Sequence, residues 1–352
     1  MTPQIARREP PLVQSIVGWD IGGVNTKLAR VVGTDVVATG VRPFAIERDR
    51  GALVPLLREL AGAVAAQAVD VHALTMTAEL SQVFRTKREG VAFVLDAVDA
   101  AFPGACVRVY TVDGRFISSD VARGEPLAVA AANWAATARL VARTHPDCVL
   151  VDIGSTTTDI IPVVGGEVFA RGRTDPERLR EGELVYTGAL RTAVEAITPL
   201  VELDGRPTGV SAEGFAIAAD VHLWLRAITA EDYTCPTPDG RPTTRAFAAE
   251  RLARVVCADR DMLDDAAIDV IAARVADAQV DRVAAAIEAV CRRHPTLRLA
   301  VVTGLGAFIA GRAARRAGLG VASLSGLLGP AARHAPAAAV ALLCDAAELS
   351  PV

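Results

Sequence analysis

An α/β protein of two similar domains set around a central cleft is the fold class this sequence predicts, and three observations predict it. The first is a phrase that occurs twice. Trp19-Asp20-Ile21-Gly22-Gly23-Val24-Asn25-Thr26-Lys27 near the start is echoed by Val151-Asp152-Ile153-Gly154-Ser155-Thr156-Thr157-Thr158-Asp159 in the middle. In each copy an apolar run ends in Asp-Ile-Gly, small hydroxyl or amide residues follow, and a second apolar run begins. The second observation is an apolar run at residues 299–303 that ends in Gly304-Leu305-Gly306 and opens a helical pattern. The third is the alternation of strand-like and helix-like periods between these landmarks.

Each copy of the phrase reads as strand, tight turn, strand. Gly22, Gly23 and Gly154 let the backbone turn sharply and approach a ligand, so that loop N–H groups and the side chains of Asn25, Thr26, Ser155, Thr156 and Thr157 can bond phosphate oxygens. Asp20 and Asp152 can hold a divalent cation, directly or through water, and Asp159 can add a second carboxylate to the later hairpin. One Gly-rich turn is weak evidence, and a matched pair is strong. Two hairpins imply two domains gripping one phosphate-bearing ligand from opposite sides.

Taken in order, residues 34–45 alternate apolar and polar and extend the first sheet, and Leu53, Leu56, Leu57, Leu60 and Val64 recur at helical spacing over one of its faces. Residues 71–76 read as a buried strand running into Glu79, a carboxylate at a strand end, where α/β ligands gather; a helix cap or a surface acid is an equally ordinary role. A helix on Val91, Val94, Leu95 and Val98 and a strand at 107–112 follow. Residues 126–143, Ala-rich, read as one helix where the chain crosses between domains. Asn133 and Trp134 within it are candidate substrate contacts, with core packing the plainer role for the aromatic. The charged run 171–183 reads as a solvated loop, and Thr187-Gly188 after the next strand as a further phosphate donor. A Ser-capped helix is expected over 211–225, with His222 satisfied within it. Residues 233–245 form a Pro-rich loop, either lid or rigid connector. Long helices are expected over 247–256 and 266–291, a strand at 320–324, and a final helix from about 337 to 349. Gly304 and Gly306, opening a helix N-terminus after a strand, complete the set of anion-binding turns.

A chain of 352 residues with 51% hydrophobic and 22% charged content is long and apolar enough for two cores and excludes disorder. A net charge of -4 offers nucleic acid no general attraction, so a small molecule is the expected partner. Six scattered cysteines without a Cys-x-x-Cys pair predict buried thiols rather than zinc or disulfides. Residues 1–12 fit neither a signal peptide nor a spanning helix, so a cytoplasmic location and no membrane partner are expected. Among 37 basic residues only Lys27 and Lys87 are lysine. Both stand in Gly- or hydroxyl-rich segments as candidate anion ligands, although Lys87 alone reads as a solvated charge.

Hairpin, hairpin and Gly-x-Gly turn, in this order, resemble the two phosphate motifs and the adenosine motif of the superfamily of acetate and sugar kinases, heat-shock ATPases and actin. More narrowly, the segments 20–27, 76–80 (Met-Thr-Ala-Glu-Leu), 86–90 (Thr-Lys-Arg-Glu-Gly), Asn133-Trp134, 152–162, 183–188 (Glu-Leu-Val-Tyr-Thr-Gly) and 251–259 resemble the hydantoinase/oxoprolinase-like branch. Proteins of that branch are also labelled tetrahydromethanopterin-linked one-carbon transfer pathway proteins, and its archaeal members make the aryl ether of methanofuran. The resemblance runs from about residue 16 to 310 and implies two actin/hexokinase-like, ribonuclease H-like domains. Residues 1–145 would form the first, completed by a C-terminal helix in 335–352, and residues 146–334 the second, with a helical insertion at about 190–295.

The resemblance also implies a transferase. It would join (5-(aminomethyl)furan-3-yl)methyl diphosphate to the phenol oxygen of a tyrosine- or (γ-glutamyl)tyramine-type acceptor and release diphosphate. Gly22, Gly23, Asn25, Thr26, Lys27, Gly154, Ser155, Thr156, Thr157, Thr187, Gly188, Gly304 and Gly306 would grip the diphosphate. Mg²⁺ would sit near Asp20, Asp152 and Asp159. Lys87, Asn133 and Trp134 would touch substrate, and Glu79 would take the phenol proton. Gly209-Val-Ser-Ala-Glu-Gly-Phe-Ala departs from the branch, where Phe-Ala-Thr is expected after the acid, which leaves the acceptor side of the pocket open. The rival readings are an ATP-dependent kinase or amidohydrolase on the same fold and a non-catalytic nucleotide-binding assembly protein.

Overall fold

The structure, a computed structural model describing residues 15–66 and 70–344, is built on two six-stranded sheets of the same plan. In the first, β1 (Ser15–Ile21), β2 (Asn25–Val32) and β3 (Asp35–Pro43) form an antiparallel meander. After helix α1 (Leu53–Ala63), β4 (Val71–Met76) joins β1 in parallel; after α2 (Lys87–Ala101), β5 (Val107–Tyr110) joins β4, and β6 (Phe116–Ile117) closes the edge. β1 and β4 are buried throughout and mostly apolar, as a strand covered on two sides tends to be.

Short helices α3 (Ser119–Gly124) and α4 (Pro126–Val129) lead into α5 (Asn133–Ala142). The second sheet then repeats the first. β7 (Cys148–Ile153) and β8 (Thr158–Val164) make the hairpin, β9 (Glu167–Val168) extends β8, and α6 (Asp175–Glu181) precedes β10 (Leu184–Val185), which pairs with β8. Between β10 and the next parallel strand lie α7 (Val194–Ile197), the hairpin β11 (Leu200–Leu203) and β12 (Arg206–Gly209), α8 (Ala218–Trp224), α9 (Arg245–Arg254) and α10 (Asp265–Arg293). β13 (Leu299–Thr303), α11 (Ala307–Arg316), β14 (Gly320–Ser323), α12 (Ser325–Leu328) and α13 (Ala335–Leu343) complete the order, with β13 parallel to β7 and β14 parallel to β13.

One apolar cluster joins the halves. Residues of α5 and α13 pack with Ile16, Val71 and Ala73 of the first sheet and with Leu150, Ile161 and Val301 of the second. The Ala-rich α13 comes close to β1 because Gly18 has no side chain: a Cβ there would lie 2.0 Å from the Ala337 carbonyl oxygen. The inserted helices hold a separate core around Leu252, Ile268, Ile271 and Val275.

Three sequence expectations are corrected here. Residues 126–143 are two helices rather than one. Ala130 makes a parallel bridge with Met76, and Ala131 turns left-handed at φ 51°, which ends the first helix and restarts the second at Asn133. The helix expected from Ser211 begins only at Ala218, because Gly214 is left-handed at φ 66° and Asp220 caps the later start through the Ile217 N–H at 3.0 Å. Cys106 and Cys257 are exposed, not buried, although no disulfide forms among the described residues. The loop 233–245 is a pinned connector: the Tyr233 hydroxyl donates to Asp220 at 3.0 Å, and Asp239 pairs with Arg251 at 3.0 Å. His222 is buried and bonded to Gln279 at 2.9 Å, as a satisfied histidine should be. Residues 1–12 and the end of the expected C-terminal helix lie outside the described residues. Among the described residues no helix is long and apolar enough to cross a membrane.

Candidate active site

The two hairpins are superposable in their bonding. The Gly22 N–H donates to the Asn25 carbonyl at 3.1 Å, and the Gly154 N–H to the Thr157 carbonyl at 3.0 Å. The chain leaving the adjacent parallel strand then clips onto the same isoleucine in each: the Thr77 N–H to the Ile21 carbonyl and the Gly306 N–H to the Ile153 carbonyl, both at 2.9 Å. Each loop therefore has its outer bonds made and its tip open. The N–H groups of Gly23, Val24, Ser155 and Thr156 have no acceptor among the described residues, and all four residues line one cavity of about 420 Å³ between the hairpins. Asn25 Oδ1 and Thr26 Oγ1 are buried without partners at the base of the first loop.

Asp20 and Lys27 face each other across the first hairpin, Lys27 Nζ 3.9 Å from Asp20 Oδ2, while Asp20 Oδ1 has no partner. Asp152 and Asp159 are paired in register across the second. All three carboxyls are buried, and burial raises each above the usual carboxylate range. For Asp152 burial leads, Asp159 and Asp20 add to it, and Lys27 opposes, leaving it pushed up to about 7. Burial raises all three, and neighbouring carboxylates add to Asp20 and Asp152, so a cation placed beside these two would favour their charged forms. No group of three His, Cys, Asp or Glu side chains among the described residues is arranged to chelate an ion alone.

Glu79 sits in a short 3-10 turn, Ala78–Leu80, directly beyond β4 and under the start of α2, 1% exposed. Neither carboxyl oxygen has a hydrogen-bond partner, and Lys87 Nζ is 3.7 Å from Oε1. Burial pushes Glu79 up to about 7 against the pull of Lys87. Lys87 in turn bonds Asp175 at 2.7 Å, and Arg178 lies 3.7 Å from Asp175 and in direct contact with Asp159. Acid and base thus alternate across the cleft, Glu79, Lys87, Asp175, Arg178, Asp159, from the first sheet's side to the second's. Trp134 supports this ladder from below, its ring centroid 4.4 Å from the Arg178 guanidinium carbon.

Of the residues expected at the site, Asp20, Gly22, Gly23, Asn25, Lys27, Glu79, Asn133, Gly154, Ser155, Thr156, Thr157 and Asp159 line the cavity. Lys87 is beside it through Glu79 and Asp175. Asp152 and Thr26 are buried and do not line it: Asp152 is paired in register with Asp159, and Thr26 lies at the base of the first loop. Trp134 is buried core beneath Arg178 rather than a wall of the cavity. Thr187 and Gly188 are also behind the wall: Gln279 donates to the Thr187 hydroxyl at 2.9 Å and to the Gly188 carbonyl at 2.8 Å, and the Gly188 N–H goes to Thr192. Gly304 and Gly306 pack against the back of the second hairpin. A Cβ at Gly304, whose φ is +84°, would stand 2.4 Å from Asp152 Oδ1, so this turn supports a carboxylate rather than meeting a ligand. Gly304→Ala is expected to destabilise the protein by roughly 3 kcal/mol. Gly33→Ala, also left-handed but with nothing within 4 Å, should cost only about 1 kcal/mol. Equal losses in thermal melts would refute the contact.

The solvated-loop reading of residues 171–183 is overturned. Arg178 is 2% exposed, and the segment holds α6, opened by Glu177 accepting the N–H groups of Arg173 and Thr174 at 2.9 and 3.0 Å. The signal was present as Thr174-Asp175-Pro176-Glu177, a capped helix start. Leu80, Leu179 and Tyr186, three exposed large apolar side chains, also converge on the cavity, with Arg191 beside them.

Twin hairpins facing across one cleft define a two-domain protein of the actin/hexokinase-like class. A solved structure of acetone carboxylase, nucleotide-free, aligns over 95% of this chain and 70% of its own at a TM-score of 0.60 and 12% identity. The chain belongs to the hydantoinase/oxoprolinase family, whose model matches residues 70–346. It is 41% identical over 292 residues to (4-{4-[2-(gamma-L-glutamylamino)ethyl]phenoxymethyl}furan-2-yl)methanamine synthase of Methanocaldococcus jannaschii, covering 83% of this chain and 86% of that one. The enzyme of the same name from Methanococcus vannielii is 40% identical over 161 residues, 46% of this chain and 71% of that one.

Proposed function

We propose that this protein is an ether-forming transferase that joins a furan-methyl diphosphate to the phenol oxygen of a tyramine- or tyrosine-type acceptor and releases diphosphate. The observation that carries it is the pairing of two open-tipped hairpins with a near-neutral buried carboxyl, Glu79, in the same cavity. The diphosphate sits between the hairpins, taking hydrogen bonds from the Gly23, Val24, Ser155 and Thr156 N–H groups and charge from Lys27. Asp20 and Asp159 in the cavity wall, with Asp152 paired in register beside Asp159, would hold Mg²⁺, which would supply further charge to the departing diphosphate. The bond from the furan methylene to the diphosphate oxygen breaks with its electron pair leaving on diphosphate. The phenol oxygen forms the new bond, and its proton, held at a pKa of about 10 in water, passes to Glu79.

The acceptor ring belongs at the mouth, where Leu80 and Leu179 offer apolar surface and Tyr186 a stacking face. Tyr186→Ala is expected to raise the acceptor's KM roughly 3- to 10-fold with little change in kcat or in diphosphate affinity. Steady-state kinetics with varied acceptor decides this, and a fall in kcat alone would move the ring elsewhere. The reading as a whole is tested by titration calorimetry with Mg²⁺, comparing diphosphate, a furfuryl diphosphate analogue and ATP. Tight binding of the first two beside weak ATP is the expected result. Tight ATP binding would return the chain to the kinase or amidohydrolase side of its fold class.

A further inference from the structure

A second cavity, of about 690 Å³, lies at the opposite end of α5 from the cleft. Its walls come from both halves of the chain: Arg108, Tyr110 and Phe116 from the edge of the first sheet, Arg139 and Arg143 from the end of α5, and Glu167 from β9 of the second. Its lining carries, among the described residues, four guanidiniums, of Arg108, Arg115, Arg139 and Arg143, against one carboxylate, of Glu167. Among the described residues Arg108 makes no hydrogen bond or ion pair, and Arg139 and Arg143 donate only to main-chain carbonyls, of Val112 at 3.3 Å and Leu342 at 3.1 Å. Arg115, also on the rim, is matched by Asp113 at 3.0 Å. The turn is cut away to admit Arg139: at Gly114 any side chain would meet its guanidinium at 2.4 Å.

Tyr110 supplies an independent observation. Its side chain is 1% exposed, it lines this cavity, and its hydroxyl, which lies within the pull of the Arg139 guanidinium, donates to no acceptor among the described residues. Burial raises its pKa against the pull of Arg139, so the hydroxyl keeps its proton as a donor. A buried donor left unmade costs stability and guanidiniums facing one cavity repel one another, and a bound anion relieves both at once.

We propose that this cavity is a binding site for a small organic dianion, a dicarboxylate or a phosphate monoester, separate from the catalytic cleft. The guanidiniums take its charged groups, the Tyr110 hydroxyl donates to one of them, and Phe116 covers its carbon skeleton. Because the walls come from both halves, an occupant bridges them.

Succinate and glycerol 2-phosphate, titrated separately into the full-length protein by calorimetry, test it and distinguish the two sources of charge. At least one is expected to bind with a submillimolar Kd. Arg108→Gln and Tyr110→Phe should each weaken that binding about 10-fold or more, while Mg²⁺-diphosphate binding stays as in the parent and the ligand-free thermal melt does not fall. Neither side chain makes a bond whose loss would unfold the protein, so the variants report on the ligand. No binding of either probe, or binding that both variants leave unchanged, would overturn the proposal.

Discussion

Glu79→Gln is expected to lower the rate of ether formation roughly 10²- to 10⁴-fold while leaving diphosphate binding within a few-fold of the parent, the size of effect that removal of a positioned base produces. The parent's rate should rise with pH through about 7, where Glu79 loses its proton, and the Gln variant should be flat over that range. Stability moves the opposite way. The carboxyl has a value of about 7 when folded against 4.5 when exposed, so between these limits the folded state holds more protons than the unfolded one. Folding stability therefore falls as pH rises from about 4.5 to 7, by on the order of 3 kcal/mol from this group. Glu79→Gln removes that loss and should melt higher than the parent at pH 8. Activity, pH profile and melting temperature are read on one pair of proteins. A variant that also lost diphosphate affinity would place Glu79 at the metal instead of the phenol.

Asp20→Asn is expected to weaken Mg²⁺-dependent diphosphate binding by at least about 100-fold. Indirect partners of a metal ligand already account for 10- to 100-fold, and Asp20 presents a buried oxygen with no protein partner. The same change should stabilise the ligand-free protein at pH 8, because burial and the neighbouring Asp159 raise the Asp20 pKa, with Lys27 only partly opposing them. Binding lost with stability gained is the signature of a residue kept for its ligand. Undiminished calorimetric affinity in Asp20→Asn would remove Asp20 from the site.

Much of this site was legible because its elements are local. A strand that ends in Asp-Ile-Gly and resumes after two to four small residues has few backbone solutions, and both copies adopt the same one, down to the Gly N–H bond across the loop. The strand before Glu79, the capped helix after it and the strand–turn–helix at Gly304 are equally local. What was misread depends on partners distant in the chain. Nothing in an alanine run predicts that Ala131 turns left-handed, since alanine is the best helix former. The turn exists because Ala130 bridges to Met76, and it sets Asn133 in the cleft wall. Composition makes a charged run look solvated, and Arg178 is buried only because Asp159 and Trp134 meet it from other elements.

The sequence by itself determined the duplicated hairpins and the two sheets they begin, because strand periodicity and glycine-bearing turns are properties of consecutive residues. Only the tertiary structure decided which polar groups face the cleft. Thr187, Gly188, Gly304 and Gly306 carry the right chemistry for a phosphate yet brace the second hairpin from behind, whereas Asp175 and Arg178 complete the charge ladder from a segment read as solvent-exposed. The reason is physical. A backbone turn is set by its own dihedral angles, whereas burial, and with it the raised pKa values of Asp20, Glu79 and Asp152, is set by what packs against a side chain from elsewhere in the fold.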